Sequence, residues 1–306
     1  MNTPVAFSVI IPTQGSRQSL RAAVESVLQQ SYPHFELVVV SDGDVRRTRE
    51  MLAEVADPRV WIVNQEPKGV SSARNLGISK ARHPWVTFLD DDDLARPHWL
   101  ESWASAISDD SLAVTAAISY RREGDETGSL RECHLSTTDP TMGASTILAG
   151  GFAVRRDLLL AVGGYDARLR VSENQDLGLR LCEYISATGL EGAIPRVEHA
   201  VVDVFVENHS QRDHRYGSSH KEAAKLLQDR YRHRLTADPS TKASLLRIIA
   251  RHERLEHRYR AACLAALGAL RVQPMHFGNV KSLLLALFPT LHRPAMWLRE
   301  RQWRSR

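Results

Sequence analysis

The chain contains little cysteine and no long hydrophobic run. Its 306 residues include three cysteines, Cys133, Cys182 and Cys263, which lie far apart and form no CxxC pair. An odd, sparse set of this kind argues against a disulfide framework and against a cysteine zinc site, and it suits a reducing cytoplasm. No uninterrupted apolar run reaches the ~18 residues that a membrane span needs, and the N-terminal residues lack the basic segment of a signal peptide. We therefore expect a cytoplasmic protein.

Several common functional motifs are also absent. The sequence has no GxGxxG after its first predicted strand, no GxxxxGK[ST] and no GxSxG. These absences argue against a Rossmann dinucleotide site, a P-loop and a serine-hydrolase elbow. Residues 252–257, HERLEH, are one residue longer than the zinc motif HExxH. Because histidines five positions apart on a helix are separated by about 140° around its axis, these two cannot share a metal.

Charge is distributed unevenly along the chain. Residues 221–306 contain 18 Lys and Arg against 6 Asp and Glu, whereas residues 1–220 contain 22 basic and 30 acidic residues. This contrast predicts an acidic domain over residues 1–218 followed by a basic region over residues 219–306. The basic excess is typical of a solvated helical face. The alternative is attraction to an anionic membrane surface or to a phosphorylated acceptor, and we expect no nucleic-acid partner.

Strand and helix patterns alternate through the first half of the chain. β-Branched apolar runs predict strands, and apolar residues at spacings of three and four predict helices. The predicted order is strand Val5–Pro12, helix Leu20–Gln30, strand Glu36–Val40, helix Val45–Ala56, strand Arg59–Asn64, helix Ser71–Ala81 and strand Trp85–Leu89. Such repetition predicts an α/β fold with a mostly parallel sheet flanked by helices.

The remaining sequence is less regular. Residues 112–120 predict a strand, residues 147–166 predict a strand and a helix closed by Gly163 and Gly164, and Ser172–Tyr184 predict a helix with Ser172 as its N-cap. The Arg-rich segments 221–235, 244–270 and 281–288 repeat apolar residues at helical spacing. They predict a C-terminal α-helical region.

Four consecutive aspartates, Asp90 to Asp93, follow the last of the alternating strands. Such a quartet is often a solvated acidic turn, but its repulsion is relieved when a cation lies among the carboxylates. Ligands bind at the carboxyl ends of strands in such sheets, where Pro12, Thr13 and Asp42 also fall. Mg²⁺ and Mn²⁺ prefer carboxylate oxygens and substrate phosphates. Because such a cation stabilises a departing diphosphate, the pattern predicts a transferase that uses a nucleotide-diphosphate donor.

Four stretches within residues 8–100 resemble the family 2 glycosyltransferases in sequence, order and spacing. They are SVIIPTQG, LRAAVESVLQQSYPHFELVVVSDGD, GVSSARNLGISKA and WVTFLDDDDLARPHWL, and a thinner similarity continues through GGYD and SENQDLGLRL to about residue 215. The resemblance implies a GT-A fold with a Rossmann-like nucleotide-binding half. It also implies inverting transfer from a nucleotide-diphosphate sugar, with a UDP-sugar as the expected donor and Mn²⁺ or Mg²⁺ as the cofactor.

The resemblance implies donor-site roles for several residues. Pro12 and Thr13 are expected to line the base pocket, and Asp42 is expected to hydrogen-bond the uracil ring. Ser41 stands where the family usually has a first aspartate, so the pocket is expected to differ slightly. Arg74 falls where the family often has a basic residue near the donor, with a helix-surface cation as the alternative.

The aspartate quartet matches the DxD-like motif of the family. The resemblance implies that Asp90 and Asp91 belong to the nucleotide-sugar site, with Asp91 near the ribose or the metal. It assigns Asp92 to direct metal coordination, whereas Asp93 is expected to cap the following turn.

Two histidines follow the strand-like run AVVDVFVE. Relatives often have a histidine or arginine there, near the diphosphate. We expect His209, rather than His214, to complete the metal shell or to contact phosphate. A histidine of a surface loop is the alternative.

The stretch from Glu173 to Arg180, ENQDLGLR, departs from the family pattern. The family has an aspartate as general base at the position of Asn174, and an amide cannot deprotonate a sugar hydroxyl. Glu173 or an altered geometry is the first explanation, and Asp176 is a poorer substitute because it lies ~200° around the helix. The second is an acidic acceptor that needs no base, and the third is loss of activity with donor binding retained.

We therefore expect a metal-dependent, inverting glycosyltransferase of polysaccharide biosynthesis or a related process. The expected acceptor is a glycan, a lipid-linked sugar, or a natural product or peptide. The basic C-terminal helices are candidates for peripheral contact with a membrane. The alternative from another class is a non-catalytic nucleotide-sugar-binding or scaffold protein. A nucleotidyltransferase fits less well, because PTQGSRQS lacks the repeated glycines of such enzymes.

Overall fold

The computed structural model describes residues 4–121, 128–205 and 209–288, with side chains in the last range described from residue 218 onward. The strands are β1 (Phe7–Thr13), β2 (Phe35–Asp42), β3 (Val60–Gln65), β4 (Trp85–Phe88), β5 (Leu94–Ala95), β6 (Ala113–Arg121), β7 (Ser129–Glu132), β8 (His134–Leu135), β9 (Ser145–Thr146), β10 (Phe152–Arg155) and β11 (Arg196–Phe205). The helices are α1 (Leu20–Leu28), α2 (Val45–Met51), α3 (Val70–Lys80), α4 (Trp99–Ala106), α5 (Arg156–Ala161), α6 (Glu173–Thr188), α7 (His209–Arg230), α8 (Arg234–Ala237), α9 (Pro239–Leu255), α10 (Tyr259–Val272) and α11 (Phe277–Leu287).

A mixed sheet forms the centre of the fold. Its strand order is β3-β2-β1-β4-β10-β6-β11-β5, with β7 paired to β6, and β8 and β9 form a separate pair. The pairs β1–β2, β2–β3, β1–β4 and β6–β11 are parallel. Strand β10 runs antiparallel to both β4 and β6. The predicted α/β fold, with helices flanking the sheet and a C-terminal helical region, is confirmed.

Strands β1 and β2 are buried on both faces of the sheet. Along β1, Val9 and Ile11 pack in a cluster with side chains of α1 and α4, whereas Ile10 packs in a second cluster with side chains of α3, α5 and α6. Successive residues of a strand point to opposite faces, so a nearly continuous apolar run is what a sheet covered on both sides requires. The carboxyl ends of these two strands carry polar side chains, at Thr13, Ser41 and Asp42.

Two of the predicted helical segments end earlier or divide in the structure. Helix α2 ends at Met51 instead of Ala56, with Leu52 as its C-cap. The predicted segment 244–270 is two helices, because His257 adopts a left-handed φ of 59° and Arg258 N donates to Glu253 O at 2.8 Å. This is the pattern of a Schellman helix end.

Ser172 precedes α6 as predicted but does not cap it with its side chain. Its backbone is left-handed, with φ 61°, and its hydroxyl makes no capping hydrogen bond. The backbone carbonyl of Ser172 instead accepts from Asp176 N at 3.1 Å. Helix α6 therefore begins abruptly at Glu173.

The chain divides into two compact units. One comprises residues 1–139 and 143–212, and the other comprises residues 140–142 and 213–306. The domain boundary predicted after residue 218 stays a prediction. Among the described residues, no helix combines the length and the apolar character that crossing a bilayer requires.

The second unit contains a small alanine-rich core. Ala250 of α9, Ala262 and Ala266 of α10 and Ala286 of α11 are buried together. A fully buried polar residue, Asn279, also joins these helices. Small side chains at these positions let the three helices approach one another closely.

Helix α3 lies against the sheet at Gly77. A Cβ atom built on this residue would lie 2.4 Å from Ile10 Cγ2 of β1, closer than any tolerated contact. We expect Gly77→Ala to lower the free energy of unfolding by about 1–3 kcal/mol, because the helix or the strand must shift. Urea denaturation followed by tryptophan fluorescence measures this change.

Ser79→Ala in the same helix is the matched control. Ser79 is exposed and its hydroxyl bonds only to the carbonyl of Leu76. Its replacement is expected to change stability by less than about 0.5 kcal/mol. Equal unfolding midpoints for the two variants would contradict the tight contact at Gly77.

Candidate functional site

The polar residues at the carboxyl ends of β1, β2 and β4 lie at one edge of the sheet. Thr13 at the end of β1 pairs with Ser41 in β2, and Ile10 pairs with Phe88 at the end of β4. The parallel register thus brings Thr13, Asp42 and the aspartates after β4 to the same edge. This is the edge at which ligands bind in sheets of this class.

Asp42 closes the turn that leads into α3. Its Oδ1 accepts from Gln65 Nε2 and from Lys68 N, both at 2.7 Å, and its Oδ2 accepts from Gly69 N at 2.8 Å. Only 5% of the residue is exposed. A carboxylate has about four acceptor positions, so these three bonds leave one position on Oδ2 for a further donor.

Arg74 joins two carboxylates from different parts of the chain. Its Nη2 donates to Asp90 Oδ1 at 2.6 Å, and its Nη1 donates to Glu173 Oε1 at 3.0 Å. The guanidinium carbon also lies 5.2 Å from the ring centre of Tyr165. The residue is 2% exposed, so it is a buried cation and not the helix-surface cation that the sequence left open.

Burial and neighbouring charge act in opposite directions on the pKa of Arg74. Burial disfavours the charged guanidinium, but Asp90, Tyr165 and Glu173 together outweigh it and raise the pKa. The side chain therefore stays charged. Its Nε atom is buried and has no hydrogen-bond partner in the described part of the chain.

Arg17, in the loop after β1, approaches the middle of the aspartate quartet. Its Nη1 contacts Asp92 Oδ2 and lies 3.6 Å from Asp91 Oδ1. Asp91 Oδ2 accepts a hydrogen bond of 2.6 Å from Thr13 Oγ1. The carboxylates of Asp91 and Asp92 thus face a common position that a cation can reach.

Asp93 is the most buried member of the quartet. It is 3% exposed, and its Oδ1 accepts from Phe205 N at 3.1 Å. Burial, followed by the charge of Asp90, raises the pKa of Asp93 well above its usual range. Burial also raises the pKa of Asp91, against the opposing effects of Thr13 and Arg17. Asp93 stabilises the end of β11, a role different from the predicted cap of the following turn.

Asn174 lies in a short hydrogen-bonded chain at the start of α6. Tyr165 Oη donates to Asn174 Oδ1 at 3.0 Å, and Asn174 Nδ2 reaches Glu173 Oε1 at 3.4 Å. Burial raises the pKa of Tyr165, so its hydroxyl stays protonated and acts as a donor. Asn174 therefore connects a buried phenol to the carboxylate that Arg74 also holds.

Asp176, the poorer substitute base, has no exposed area. Its Oδ2 accepts from Arg180 Nε at 2.8 Å. Arg180 in turn donates from Nη1 to the carbonyls of Val162 and Gly164, at 2.8 and 2.7 Å. This contact network indicates a structural role for Asp176.

The arrangement suits a divalent cation shared with a ligand. The described residues contain no group of three His, Cys, Asp or Glu side chains that could hold a metal ion by themselves. However, Asp91 and Asp92 offer oxygens to one position, and Mg²⁺ is typically bound by one or two carboxylates together with substrate phosphates. The donor set fits a metal held jointly by the protein and a diphosphate.

The structure brings most of the predicted site residues together at this edge. Direct hydrogen bonds link these residues in two groups. One group is Thr13 with Asp91, and the other is Arg74 with Asp90 and Glu173. Pro12 is buried next to Thr13 in β1. His209 begins α7, but its side chain and that of His214 lie outside the described residues.

Two residues of the site were not predicted. Tyr165 belongs to the GGYD stretch, six residues before ENQDLGLR, and the presence of that stretch in the resemblance was a usable signal. Arg17 carries no such signal, because a single arginine in a loop is usually a solvated charge. Its proximity to Asp92 depends on the path of the loop after β1.

Comparison with known proteins supports the resemblance. The sequence model of the family described as "Glycosyl transferase family 2" matches residues 8–160 of this chain. The putative glycosyltransferase EpsH of Bacillus subtilis is 28% identical over 140 residues, covering 45% of this chain and 40% of EpsH. The UDP-Glc:alpha-D-GlcNAc-diphosphoundecaprenol beta-1,3-glucosyltransferase WfgD of Escherichia coli is 31% identical over 107 residues, covering 35% of this chain and 42% of WfgD. The chain thus spans less than half the length of both relatives.

The fold also matches a solved structure over most of its length. The crystal structure of S. aureus TarS 1-349 in complex with UDP-GlcNAc superposes with a TM-score of 0.57 and 18% identity, covering 92% of this chain and 80% of TarS 1-349. At this identity the likeness concerns the fold, which is of the expected GT-A type. The family match over half of the sequence is the stronger finding: this chain belongs to glycosyl transferase family 2.

Proposed function

We propose that this chain is a metal-dependent glycosyltransferase that uses a UDP-sugar donor and inverts the configuration of the transferred sugar. The observation that carries the proposal is the bridge from Asp90 through Arg74 to Glu173. It connects the edge expected to bind the donor with the first turn of α6, where the family has its base. Residues 1–218 are the proposed transferase domain.

Donor binding is supported by the acceptor groups left available at the sheet edge. The free position on Asp42 Oδ2 suits a ring N–H such as that of uracil, and Pro12 and Thr13 end the neighbouring strand. The name of WfgD specifies UDP-Glc, and the TarS crystal contains UDP-GlcNAc. We therefore favour UDP over other nucleotides.

Asp92 is the proposed direct ligand of Mn²⁺ or Mg²⁺, with Asp91 beside it and His209 as a further candidate. When bound, the cation would stabilise the negative charge of the departing diphosphate. Arg17 already balances the carboxylates of Asp91 and Asp92. We expect it to move away from Asp92, or to contact phosphate, when a donor binds.

Glu173 is the proposed general base. Its Oε1 is held by Arg74 and Asn174, whereas Oε2 has no partner among the described residues. That oxygen is available to accept a proton from an attacking hydroxyl. Asn174 then acts as a positioning residue, since its amide is fixed by Tyr165 and in turn orients Glu173.

The acceptor is proposed to be a glycan or a lipid-linked sugar, as the name of WfgD specifies for that relative. A natural-product or peptide acceptor, including one that is acidic and needs no base, stays open. All three cysteines are free, which supports the proposed cytoplasmic location.

A non-catalytic nucleotide-sugar-binding protein is the second candidate, and Asn174 is the observation that favours it. Because an amide does not titrate, Asn174 cannot act as the general base that the family has at this position. The two candidates differ in turnover, because an enzyme releases UDP from some donor even by slow hydrolysis.

Asp92→Ala is expected to abolish the part of UDP binding that depends on Mn²⁺, because the metal loses its direct carboxylate ligand. Calorimetric titration of UDP with and without Mn²⁺ measures the change. Asp109→Ala, at an exposed loop position, is the matched control and is expected to bind as the unmodified chain does. Unchanged UDP affinity of the Asp92 variant in Mn²⁺ would reject this residue as the metal ligand.

Glu173→Gln is expected to lower the rate of UDP release from a UDP-sugar by about 10²–10⁴-fold, the usual contribution of a general base. Donor affinity is expected to stay nearly constant, since the glutamine oxygen can still accept from Arg74. Release of UDP from UDP-Glc and UDP-GlcNAc, together with calorimetric affinities, separates these effects.

Glu191→Gln, an exposed carboxylate shortly after α6, is the control for the Glu173 variant. Full turnover in Glu173→Gln would reject Glu173 and favour an acceptor that needs no base. If the unmodified chain binds UDP but releases none from any tested donor, the non-catalytic candidate is favoured.

A further inference from the structure

Helix α11 carries a stripe of apolar side chains that faces solvent. Phe277, Val280, Leu284 and Leu287 recur at spacings of three, four and three residues, so they share one face of the helix. Their exposed fractions are 78%, 39%, 47% and 53%. Apolar faces of this kind are uncommon on soluble proteins unless they bind something.

The contacts of α11 fix this orientation. Asn279 is fully buried, and its Nδ2 donates to the carbonyls of Ala269 and Gln273 at 3.0 and 2.8 Å. Its Oδ1 accepts from Arg247 Nη1 of α9 at 2.6 Å. A buried amide with all these hydrogen bonds fixes the rotation of its helix about the helix axis. The stripe therefore faces outward as a consequence of the packing.

Other exposed apolar residues lie on α10 and in the turn before α11. Met275, in the turn before α11, is 97% exposed, and Leu264 of α10, the helix packed beside it, is 71% exposed. We call the set the apolar surface; it comprises Leu264, Leu267, Met275, Phe277, Val280, Leu284, Leu287 and Phe288. Such exposure exceeds the scattered single apolar residues that are normal on protein surfaces.

The charged residues of α10 and α11 are all basic. The sequence contains no acidic residue between Glu256 and Glu300. On α10, the exposed Arg260 and Arg271 lie four positions before Leu264 and four after Leu267, and Lys281 of α11 is exposed as well. The exposed part of these helices therefore combines apolar groups with an unbalanced positive charge.

We propose that the apolar surface docks on an anionic phospholipid bilayer, with its apolar side chains in the interface and its basic side chains on the headgroups. This combination is typical of amphipathic helices that lie in the membrane interface. A second copy of the chain would bring two positive surfaces together. Residues 289–306 carry five arginines and one glutamate, so they too have the wrong sign to cover this surface.

Sedimentation with vesicles tests the proposal with the full chain. We expect binding to phosphatidylcholine vesicles that contain about 30% phosphatidylglycerol, weaker binding to pure phosphatidylcholine, and a loss of binding as NaCl rises from about 0.1 to 0.5 M. The triple variant Phe277→Ser, Leu284→Ser, Leu287→Ser is expected to bind at least about tenfold more weakly. Lys281→Glu is expected to weaken binding by about fivefold or more.

Leu130→Ser is the matched control, because Leu130 of β7 is 63% exposed and lies in the other unit. It is expected to bind vesicles as the unmodified chain does, and far-UV circular dichroism checks the folding of every variant. Equal vesicle binding by the triple variant, or no binding by the unmodified chain, overturns the proposal. So does a dimer in gel filtration that the triple variant abolishes. No sugar donor is used, so the outcome is independent of the transferase proposal.

Discussion

The buried guanidinium of Arg74 is the interaction on which the rest of the site depends. It lies between carboxylates that are far apart in sequence, Asp90 after β4 and Glu173 at the start of α6. Removing one partner of a buried ion pair leaves an uncompensated charge and is usually strongly destabilising, by about 3–5 kcal/mol. The strand end and the helix start are therefore held together by charge as well as by apolar packing.

The fold was predictable because it follows from local periodicity. The continuous apolar run at Val9, Ile10 and Ile11 requires cover on both faces of the sheet, and the structure provides it. The short strands β5, β7, β8 and β9 escaped prediction, because two to four residues carry too little pattern. Their pairing is decided by tertiary contacts such as that between Val202 and Ala95.

The sheet edge that carries the site was predictable from the sequence, but the contacts between the side chains of the site were not. Strand ends identify where Thr13, Asp42 and Asp90 lie, because parallel strands terminate together. The side-chain partners depend on distances between segments that no sequence pattern encodes. Arg74 is buried where a surface cation was equally plausible from the sequence, and Arg17 meets Asp92 only through the path of a loop. The family membership is shown by the match to residues 8–160, whereas the assigned roles stay predictions.

Helix α6 holds the segment before it at two points. Near its start, Asn174 accepts the hydroxyl of Tyr165, and one turn and a half later Arg180 binds the carbonyls of Val162 and Gly164. The loop and the helix are thus joined by three hydrogen bonds. Displacing Tyr165 breaks its hydrogen bond to Asn174, so a ligand that moves this loop also acts on the first turn of α6.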